Sequence, residues 1–352
     1  MQHLYNKTPN FAQKTRRQEN EMKQKYPLIT CTFLLILLIT ACTQGGSRTK
    51  TDTQDYQSCA PGFSADSALS YVAAQCAFGP RVVETDVHAA CANWIAEKFR
   101  SLGAQVILQD ATSQLYDHRE IHLRNIIASY QPQATTRVIV CAHWDSRPWA
   151  DNDQNPEHHH TPIDGANDGG SGVAIMLELA RLMQQQPTTV GIDFICFDAE
   201  DCGTPQWAED ENNDHSSTWC LGSQYWAQHH HLEGYVARYA ILLDMVGGAN
   251  TLFRKEGYSM HNAPAIVDKV WTAARLTGHS DLFVNEQMGA ITDDHVQLLQ
   301  SAIPAIDVIG SDRDGKGFCQ TWHTVDDNLQ HIDRETLRAV GETIAEVLWS
   351  EK

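Results

Sequence analysis

The chain has 352 residues, of which 42% are apolar and nine are tryptophan, so it is large enough to bury a substantial hydrophobic core. The formal net charge is -18 at pH 7. Residues 1–41 hold six Lys or Arg against two Asp or Glu, which leaves 20 basic and 42 acidic residues, or -22, in the remainder. Such an acidic surface repels nucleic acid, so we exclude a nucleic-acid-binding function.

The N-terminal region has the pattern of an export signal. Two lysines follow Met22, and the apolar run from Leu28 to Ile39 has the length of a signal-peptide core and is short of a bilayer span. The end of this run, LITAC, resembles the lipobox of bacterial lipoproteins, which implies lipidation of Cys42. A cleaved signal with an incidental cysteine is the alternative. Residues 1–21 are not needed for such a signal, so translation starting at Met22 is a second interpretation.

These features divide the chain into three parts. We expect a signal peptide over residues 1–41, a lipidated flexible tether rich in Gly, Ser and Thr over 42–60, and a catalytic domain over 61–352. The protein is therefore expected to be exported and anchored to a membrane through Cys42, facing the periplasm or the cell surface. Oxidising compartments permit disulfides, and Cys202 and Cys220, which bracket a polar insertion, are the best candidates. Buried free thiols are the alternative.

The folded part alternates helical and strand patterns. In chain order, the pattern predicts helices over 64–79 and 86–103, a strand over 137–143, a helix over 171–185, a strand over 191–201, a helix over 219–230, a strand over 237–247, helices over 263–278 and 293–302, a strand over 303–310 and a helix over 334–349. This order indicates an α/β fold with one domain, in which a mostly parallel central sheet has helices on both faces.

Acidic residues and one histidine recur where the predicted strands end. His143 and Asp145 follow the first strand, Glu200 and Asp201 end the second, and Asp244 ends the third. Ligands of such sheets bind beyond the carboxyl ends of the strands. Each residue alone is typical of a turn or helix cap, but their repetition favours a shared site.

The residue types in this group favour a zinc centre. Glu200 and Asp201 are adjacent carboxylates, which repel one another unless a cation or a shared proton lies between them. Asp168, Asp201 and His323 offer three zinc ligands and would leave one coordination position open. Glu200 is then placed to act as a general base close to the ion.

The same motifs, in this order, resemble a known family. They are H-x-D at 143–145, N-D-G at 167–169, E-D at 200–201, L-D at 243–244, D-D-H at 293–295 and W-H-T-x-D-D-N at 322–328. The chain resembles the zinc exopeptidase fold of co-catalytic aminopeptidases and animal-type glutaminyl-peptide cyclotransferases over about residues 65–350, in a bacterial lipoprotein form. The resemblance implies that Asp168, Asp201 and His323 bind one zinc. It also implies that Glu200 is the acid/base, with Asp244 and Asp293 hydrogen-bonded to it.

One position departs from the family pattern. The second residue of the acidic pair is usually Glu, whereas this chain has Asp201, whose side chain is shorter by one methylene. Ligation by Asp201 therefore requires a closer approach of the backbone.

Two enzyme activities fit the resemblance. The cyclotransferase converts an N-terminal glutamine of peptides or proteins to pyroglutamate with release of ammonia, and uses one zinc. The alternative is an aminopeptidase with two zinc ions, in which His143, Asp168 and Asp244 hold the second ion and Asp145 lies beside it. Residues that match the cyclotransferase version are Asp293 and the pocket aromatics Trp207, Trp322 and Phe318, so we favour cyclisation. A peptide-binding lipoprotein without activity is a third, less favoured interpretation.

Overall fold

The computed structural model describes residues 56–209, 215–315 and 317–352, which form one α/β domain. The predicted signal peptide, Cys42 and the tether up to residue 55 lie outside these residues. In the described residues, eight strands form one sheet in the order β1-β2-β4-β3-β5-β8-β6-β7. The four strands at its centre, β4, β3, β5 and β8, are parallel, as predicted.

The strands are β1 Gln105–Gln114, β2 Glu120–Tyr130, β3 Arg137–His143, β4 Gly191–Phe197, β5 Ala240–Asp244, β6 Leu252–Lys255, β7 Phe283–Gln287 and β8 Ala305–Ser311. Every residue of β3, β4, β5 and β8 is buried. Their nearly continuous apolar sequences are those of parallel strands that are covered on both faces. The sheet edges differ, because β1 and β2 pair antiparallel, as do β2 with β4 and β6 with β8.

The α-helices are α1 Ala65–Cys76, α2 Asp86–Ser101, α3 Gly170–Gln185, α4 Leu221–Gln228, α5 Gly257–Asn262, α6 Pro264–Leu276, α7 Asp294–Gln300 and α8 Arg334–Ser350. The side chains of Ser64 and Thr85 accept hydrogen bonds from backbone N–H groups at the starts of α1 and α2, as N-cap residues do. Gly103 follows α2 with φ 92°, which confirms the predicted stop. Among the described residues, none of the helices combines the length and apolar character that a bilayer span requires.

The helices cover both faces of the sheet, as predicted. Val138, Val140 and Ala142 of β3 belong to a large hydrophobic cluster with α1, α2, α3, α6 and α8. The alternate residues Ile139 and Cys141 belong to a smaller cluster that includes side chains of α4 and α7. This alternation follows from the two-residue period of a strand. Because the central strands are parallel, their carboxyl ends lie at one edge of the sheet.

Four strands and one helix are absent from the sequence-based prediction. They are β1, β2, β6, β7 and α5. The strand β1 lies at a sheet edge, and only some of its side chains are half-buried, so its sequence lacks a clear apolar face. The strands β6 and β7 have four and five residues, which is too short for a periodic pattern.

The last part of the predicted tether contacts the domain. Tyr56 and Ser58 donate hydrogen bonds to the carboxylate of Glu346 on α8, the latter at 2.6 Å. The side chain of Gln186 donates to the carbonyl oxygen of Cys59 at 3.2 Å. Residues 56–60 therefore pack on the domain, whose predicted first residue is 61.

Candidate metal centre and adjoining pocket

The side chains predicted at the strand ends converge at the carboxyl edge of the sheet. His143 ends β3, Asp244 ends β5, and Glu200 and Asp201 follow β4. Asp168 precedes α3, and His323 lies in the segment after β8. Together they line one cavity or lie directly behind it.

A tight turn places Asp168. Gly169 has φ 85°, and a Cβ there would lie 2.6 Å from the carbonyl oxygen of Asp145 and 2.9 Å from a ring carbon of His143. Only glycine fits this left-handed position without strain. The carboxylate of Asp327 accepts the backbone N–H groups of Asn167 (2.8 Å) and Asp168 (3.0 Å). The loop that begins with Trp322 thus fixes the Asp168 turn as well as presenting His323.

Asp168, Asp201 and His323 form a compact donor group. His323 Nε2 lies 3.0 Å from Asp201 Oδ1 and 3.6 Å from Asp168 Oδ2. Bonds of about 2.0 to 2.2 Å in a tetrahedral zinc site separate neighbouring ligand atoms by about 3.3 to 3.6 Å. The 3.6 Å spacing matches this range, and the 3.0 Å spacing is shorter by about 0.3 Å, so a small shift of the Asp201 carboxylate would admit zinc. Asp168 Oδ2 and Asp201 Oδ2 are buried without a hydrogen-bond partner. Buried, unpartnered carboxylate oxygens beside an imidazole are what a bound cation would satisfy.

A second donor group shares Asp168. His143 Nε2 lies 2.9 Å from Asp168 Oδ1 and 3.4 Å from Asp244 Oδ1, and all three residues are buried. Asp145 lies beside this group: its Oδ1 is 3.4 Å from His143 Nδ1, and its two oxygens accept the N–H groups of Glu200 and Asp201 at 3.1 Å each. Asp145 therefore holds the acidic pair in place. The geometry accommodates a second ion at His143, so the ligand residues alone do not set the number of metals.

Glu200 lies in the cavity next to a second carboxylate. Oxygens of Glu200 and Asp293 and the thiol of Cys220 lie within 4.8 Å of one another, and Cys220 Sγ is 3.4 Å from Glu200 Oε1. Burial, with the charges of Asp201 and Asp293, raises the pKa of Glu200 well above its ordinary value. Burial likewise raises the pKa of Asp244 to about 8. A carboxyl group whose pKa is raised is a stronger base, which suits a residue that takes up a proton during a reaction.

The cavity has a volume of about 270 Å³, just below the roughly 300–1,000 Å³ of pockets for drug-sized ligands. Besides the acidic groups, it is lined by apolar side chains, namely Trp219, Met245, Ile291, Ile309, Phe318 and Trp322. The Trp322 ring stacks on His323 at 3.9 Å between centroids and lies 4.8 Å from Phe318. These two aromatics occupy the pocket positions that the sequence analysis expected.

The position of Trp207 differs from the expectation. Trp207 is 44% exposed and packs against Trp149 and His160, with ring centroids 5.7 and 4.3 Å away. The backbone N–H of the preceding residue, Gln206, donates a hydrogen bond to Asp151 Oδ2 at 3.0 Å. Trp219 lines the cavity instead, with its ring parallel to that of His323 at 6.1 Å.

Several residues of the site have strained backbones. Ala199, Cys220, Met245 and His323 have φ between 48° and 56°, in the left-handed region that non-glycine residues rarely adopt. Each lies beside or within the group that lines the cavity. Such strain persists where surrounding contacts impose it, and it is common at functional sites.

Arg147 and Asp151, which were not predicted as site residues, lie directly behind the donor group. Both are buried, and the guanidinium of Arg147 binds the Asp151 carboxylate at 2.7 and 2.6 Å. The available signal was their spacing of four residues in HWDSRPWAD, the same segment that supplies His143 and Asp145. Of the two alternatives for Cys202 and Cys220, the structure has the buried free thiols and not the candidate disulfide. Cys202 Sγ contacts Asp145 instead, at 3.8 Å.

The chain matches the family model described as peptidase family M28 over residues 125–348. It is 51% identical to a glutaminyl cyclase of Bacteroides thetaiotaomicron whose crystal structure contains N-acetylhistamine, with a TM-score of 0.81, covering 83% of this chain and 100% of that one. A glutaminyl cyclase of Tannerella forsythia is 48% identical, with a TM-score of 0.80 and the same coverage of both chains.

A similar protein has a different description. A leucine aminopeptidase precursor of Bacteroides thetaiotaomicron is 50% identical, with a TM-score of 0.81, covering 84% of this chain and 100% of that one. The chain spans between 31% and 73% of the length of the curated relatives that it matches. Both activities considered from the sequence therefore occur among the descriptions of similar proteins.

Proposed function

The chain belongs to peptidase family M28, and on that premise we propose that it is a zinc-dependent glutaminyl-peptide cyclotransferase. Its reaction is the closure of an N-terminal glutamine of a peptide to pyroglutamate, with release of ammonia. The observation that carries the proposal is a cavity of about 270 Å³ that is lined by Glu200 together with the aromatic rings of Trp219, Phe318 and Trp322. The glutaminyl cyclases to which the chain is similar support the same activity.

Asp168, Asp201 and His323 would hold the zinc, since their donor atoms have nearly the spacing of a tetrahedral site. Bound there, zinc supplies a Lewis acid for the side-chain amide carbonyl of the substrate glutamine. The carboxylate of Asp327 accepts the backbone N–H of Asp168, and that of Asp145 accepts the backbone N–H of Asp201, which keeps both ligands in position.

Glu200 moves the proton. Its carboxylate accepts a proton from the α-amine, and the amine nitrogen forms a bond to the side-chain carbonyl carbon of the same residue. The bond from that carbon to the amide nitrogen then breaks, and Glu200 returns the proton to the departing nitrogen, which leaves as ammonia. The raised pKa of Glu200, caused first by burial, makes its carboxylate a stronger base toward the proton of the α-amine. Asp293 and Asp244 line the same cavity as Glu200.

The apolar walls have a separate task. Ring closure joins two groups of one residue, so much of the acceleration comes from holding the glutamine side chain in a folded conformation. Trp219, Phe318 and Trp322 line the same cavity as Glu200, and their apolar rings would exclude water around a bound side chain. Exclusion of water also disfavours simple hydrolysis of the side-chain amide.

A two-zinc aminopeptidase is the second candidate function. The group of His143, Asp168 and Asp244 favours it, because its donor atoms also lie within 4.8 Å of one another. In the cyclotransferase, His143 Nε2 instead donates a hydrogen bond to Asp168 and orients it.

Incubation with a peptide that begins with glutamine separates the two functions. The cyclotransferase releases ammonia and leaves a peptide with the same number of residues and a blocked N-terminus. Release of free glutamine would support the aminopeptidase. The matched control is the same peptide with an acetylated N-terminus, which has no free amine and must stay unchanged in either case. Absence of both products with zinc-loaded protein would overturn the proposed function.

We also propose that Cys42 carries a lipid anchor and that the enzyme acts on peptide or protein N-termini outside the cytoplasm. The LITAC sequence and the polar tether support this location. Expression of the full chain should place it in the membrane fraction, and Cys42→Ser should release it. Membrane association that is unchanged in Cys42→Ser would refute the anchor.

A further inference from the structure

Arg147 is a buried cation that the reaction described above does not use. It is 1% exposed, and its guanidinium pairs with both carboxylate oxygens of Asp151. The guanidinium lies 4.6 Å from the centre of the Trp219 ring and 5.4 Å from that of Trp149. Removing two charges from water is costly, so a pair held this tightly behind a site suggests a task beyond stability.

The pair touches two of the three donor residues. Arg147 Nη1 donates to the backbone oxygen of Asp201 at 3.1 Å and lies 3.5 Å from Asp201 Oδ1. On the other side, Asp151 Oδ1 lies 3.6 Å from His323 Nδ1, the ring nitrogen that faces away from the donor group. The pair thus bridges the aspartate and the histidine from behind.

The neighbouring backbone strengthens this bridge. The N–H of Asn152 donates to the backbone oxygen of His323 at 3.0 Å, and its side chain donates to the carbonyl oxygen of Trp322 at 3.1 Å. His323 has φ 54°, a conformation that needs such support. The segment that carries Asp151 therefore contacts the ring of His323 and holds its backbone by hydrogen bonds.

Asp201 is fixed from two sides. Asp145 accepts its backbone N–H at 3.1 Å, and Arg147 donates to its backbone oxygen. An aspartate reaches less far than a glutamate, so its donor atom is placed by its backbone more than by its side-chain torsions. The contacts of Arg147 supply the close backbone approach that Asp201 requires.

We propose that Arg147 and Asp151 form a positioning pair that holds Asp201 and His323 in metal-binding geometry. This inference rests on the proposed zinc site and does not depend on which reaction the site performs. Partners behind metal ligands typically change metal affinity by about 10–100-fold when they are replaced. The pair is therefore expected to set zinc affinity, whereas a purely structural ion pair would affect only folding.

The chain offers a matched control for a buried ion pair. Arg137 binds both oxygens of Asp193 at 2.6 Å, and both residues are buried. Arg137 begins β3 and His143 ends it, so this pair lies about 20 Å from the carboxyl edge of the sheet. Arg137→Lys and Arg147→Lys thus make the same chemical change, one far from the donor group and one behind it.

The test measures zinc affinity of the full chain by competition with a chelator. Arg147→Lys keeps the charge but loses the fork that binds Asp151 and Asp201 together, so its zinc dissociation constant should rise by about 10–100-fold. Arg137→Lys should leave the constant unchanged. Thermal unfolding of the zinc-free forms reports any loss of fold stability separately. Asp151→Asn, which keeps the side-chain volume, gives the same comparison if Arg147→Lys does not fold.

Two results would overturn the positioning pair. One is an unchanged zinc affinity in folded Arg147→Lys or Asp151→Asn. The other is an equal loss of affinity in Arg137→Lys, which would reveal a general effect of destabilisation. Excess zinc should also recover the turnover of Arg147→Lys. If the wild-type protein binds zinc but releases no ammonia, the proposed function fails while the affinity comparison still tests the pair.

Discussion

Replacing Glu200 with glutamine isolates the proton-transfer step. The two side chains have the same size, so Glu200→Gln keeps the contact with the Cys220 thiol that now lies at 3.4 Å. It also keeps the hydrogen bond from the backbone N–H of residue 200 to Asp145. Glutamine cannot accept a proton from the α-amine, so only the acid/base function is removed.

The expected loss follows from the position of Glu200. The side chain is 13% exposed, so bulk water has little access to replace it as a base. General acid–base catalysis contributes about 10²–10⁴-fold, which corresponds to about 2.7–5.4 kcal/mol of activation free energy. We therefore expect kcat for ammonia release to fall by about 10²–10⁴-fold. Zinc content should not change, because the donor group consists of Asp168, Asp201 and His323.

The assay follows ammonia release from a peptide that begins with glutamine, with zinc measured on the same sample. The control is Glu335→Gln on α8, since Glu335 pairs with Arg338 at the surface and its side chain is 61% exposed. The control should match the wild type. Retention of more than about a tenth of the wild-type kcat in zinc-loaded Glu200→Gln would refute the shuttle, because the expected loss is at least about 10²-fold.

Three further changes test the site and its scaffold. His323→Ala should lose bound zinc because it removes one of three donors, which metal analysis measures. Gly169→Ala should destabilise the protein by about 2 kcal/mol or more, since the left-handed conformation costs about 1–2 kcal/mol and the new Cβ meets Asp145 at 2.6 Å; denaturant unfolding measures this. His231 accepts a hydrogen bond from Trp226, and burial lowers its pKa to about 4. The pKa of His231 in the folded state lies below the unfolded value of 6.5. The free energy of unfolding of the wild type should therefore fall by about 3 kcal/mol as pH falls from 6.5 to 4, and this loss should be absent in His231→Gln.

Each of these changes has a clear contrary result. Full zinc occupancy in His323→Ala would remove His323 from the donor group. Gly289→Ala is the control for the glycine change, because Gly289 has open space around it, and equal stability of the two variants would contradict the strain at Gly169. For His231→Gln, the stability difference from the wild type is measured at pH 7 and pH 4.5, and a constant difference would contradict the lowered pKa.

The sequence predicts the centre of this fold well. The central strands are buried on both faces, so their apolar runs are unambiguous, and the polar residues that end them stand out. Asp168, Asp201 and His323 come together because parallel strands deliver their carboxyl ends to one edge. The strand β1 was missed because its partly exposed pattern at an edge resembles that of a loop.

The residues behind and around the site were harder to predict. Trp207 and Trp219 lie in one insertion, and only tertiary contacts show that Trp219 lines the cavity whereas the turn before Trp207 binds Asp151. Arg147 looks like a surface residue in the sequence, because its burial depends on a partner four residues away and on two tryptophan rings. Contacts of this kind arise from tertiary packing, which local patterns do not encode.

A zinc titration of the chelator-treated protein tests the central claim most directly. The chain is stripped of metal, zinc is added in increments, and ammonia and free glutamine are measured together from a peptide that begins with glutamine. The expected result is ammonia release that reaches its maximum at one zinc per chain, with no free glutamine. Activity that requires two zinc ions per chain and appears as free glutamine would contradict the cyclotransferase with one zinc held by Asp168, Asp201 and His323.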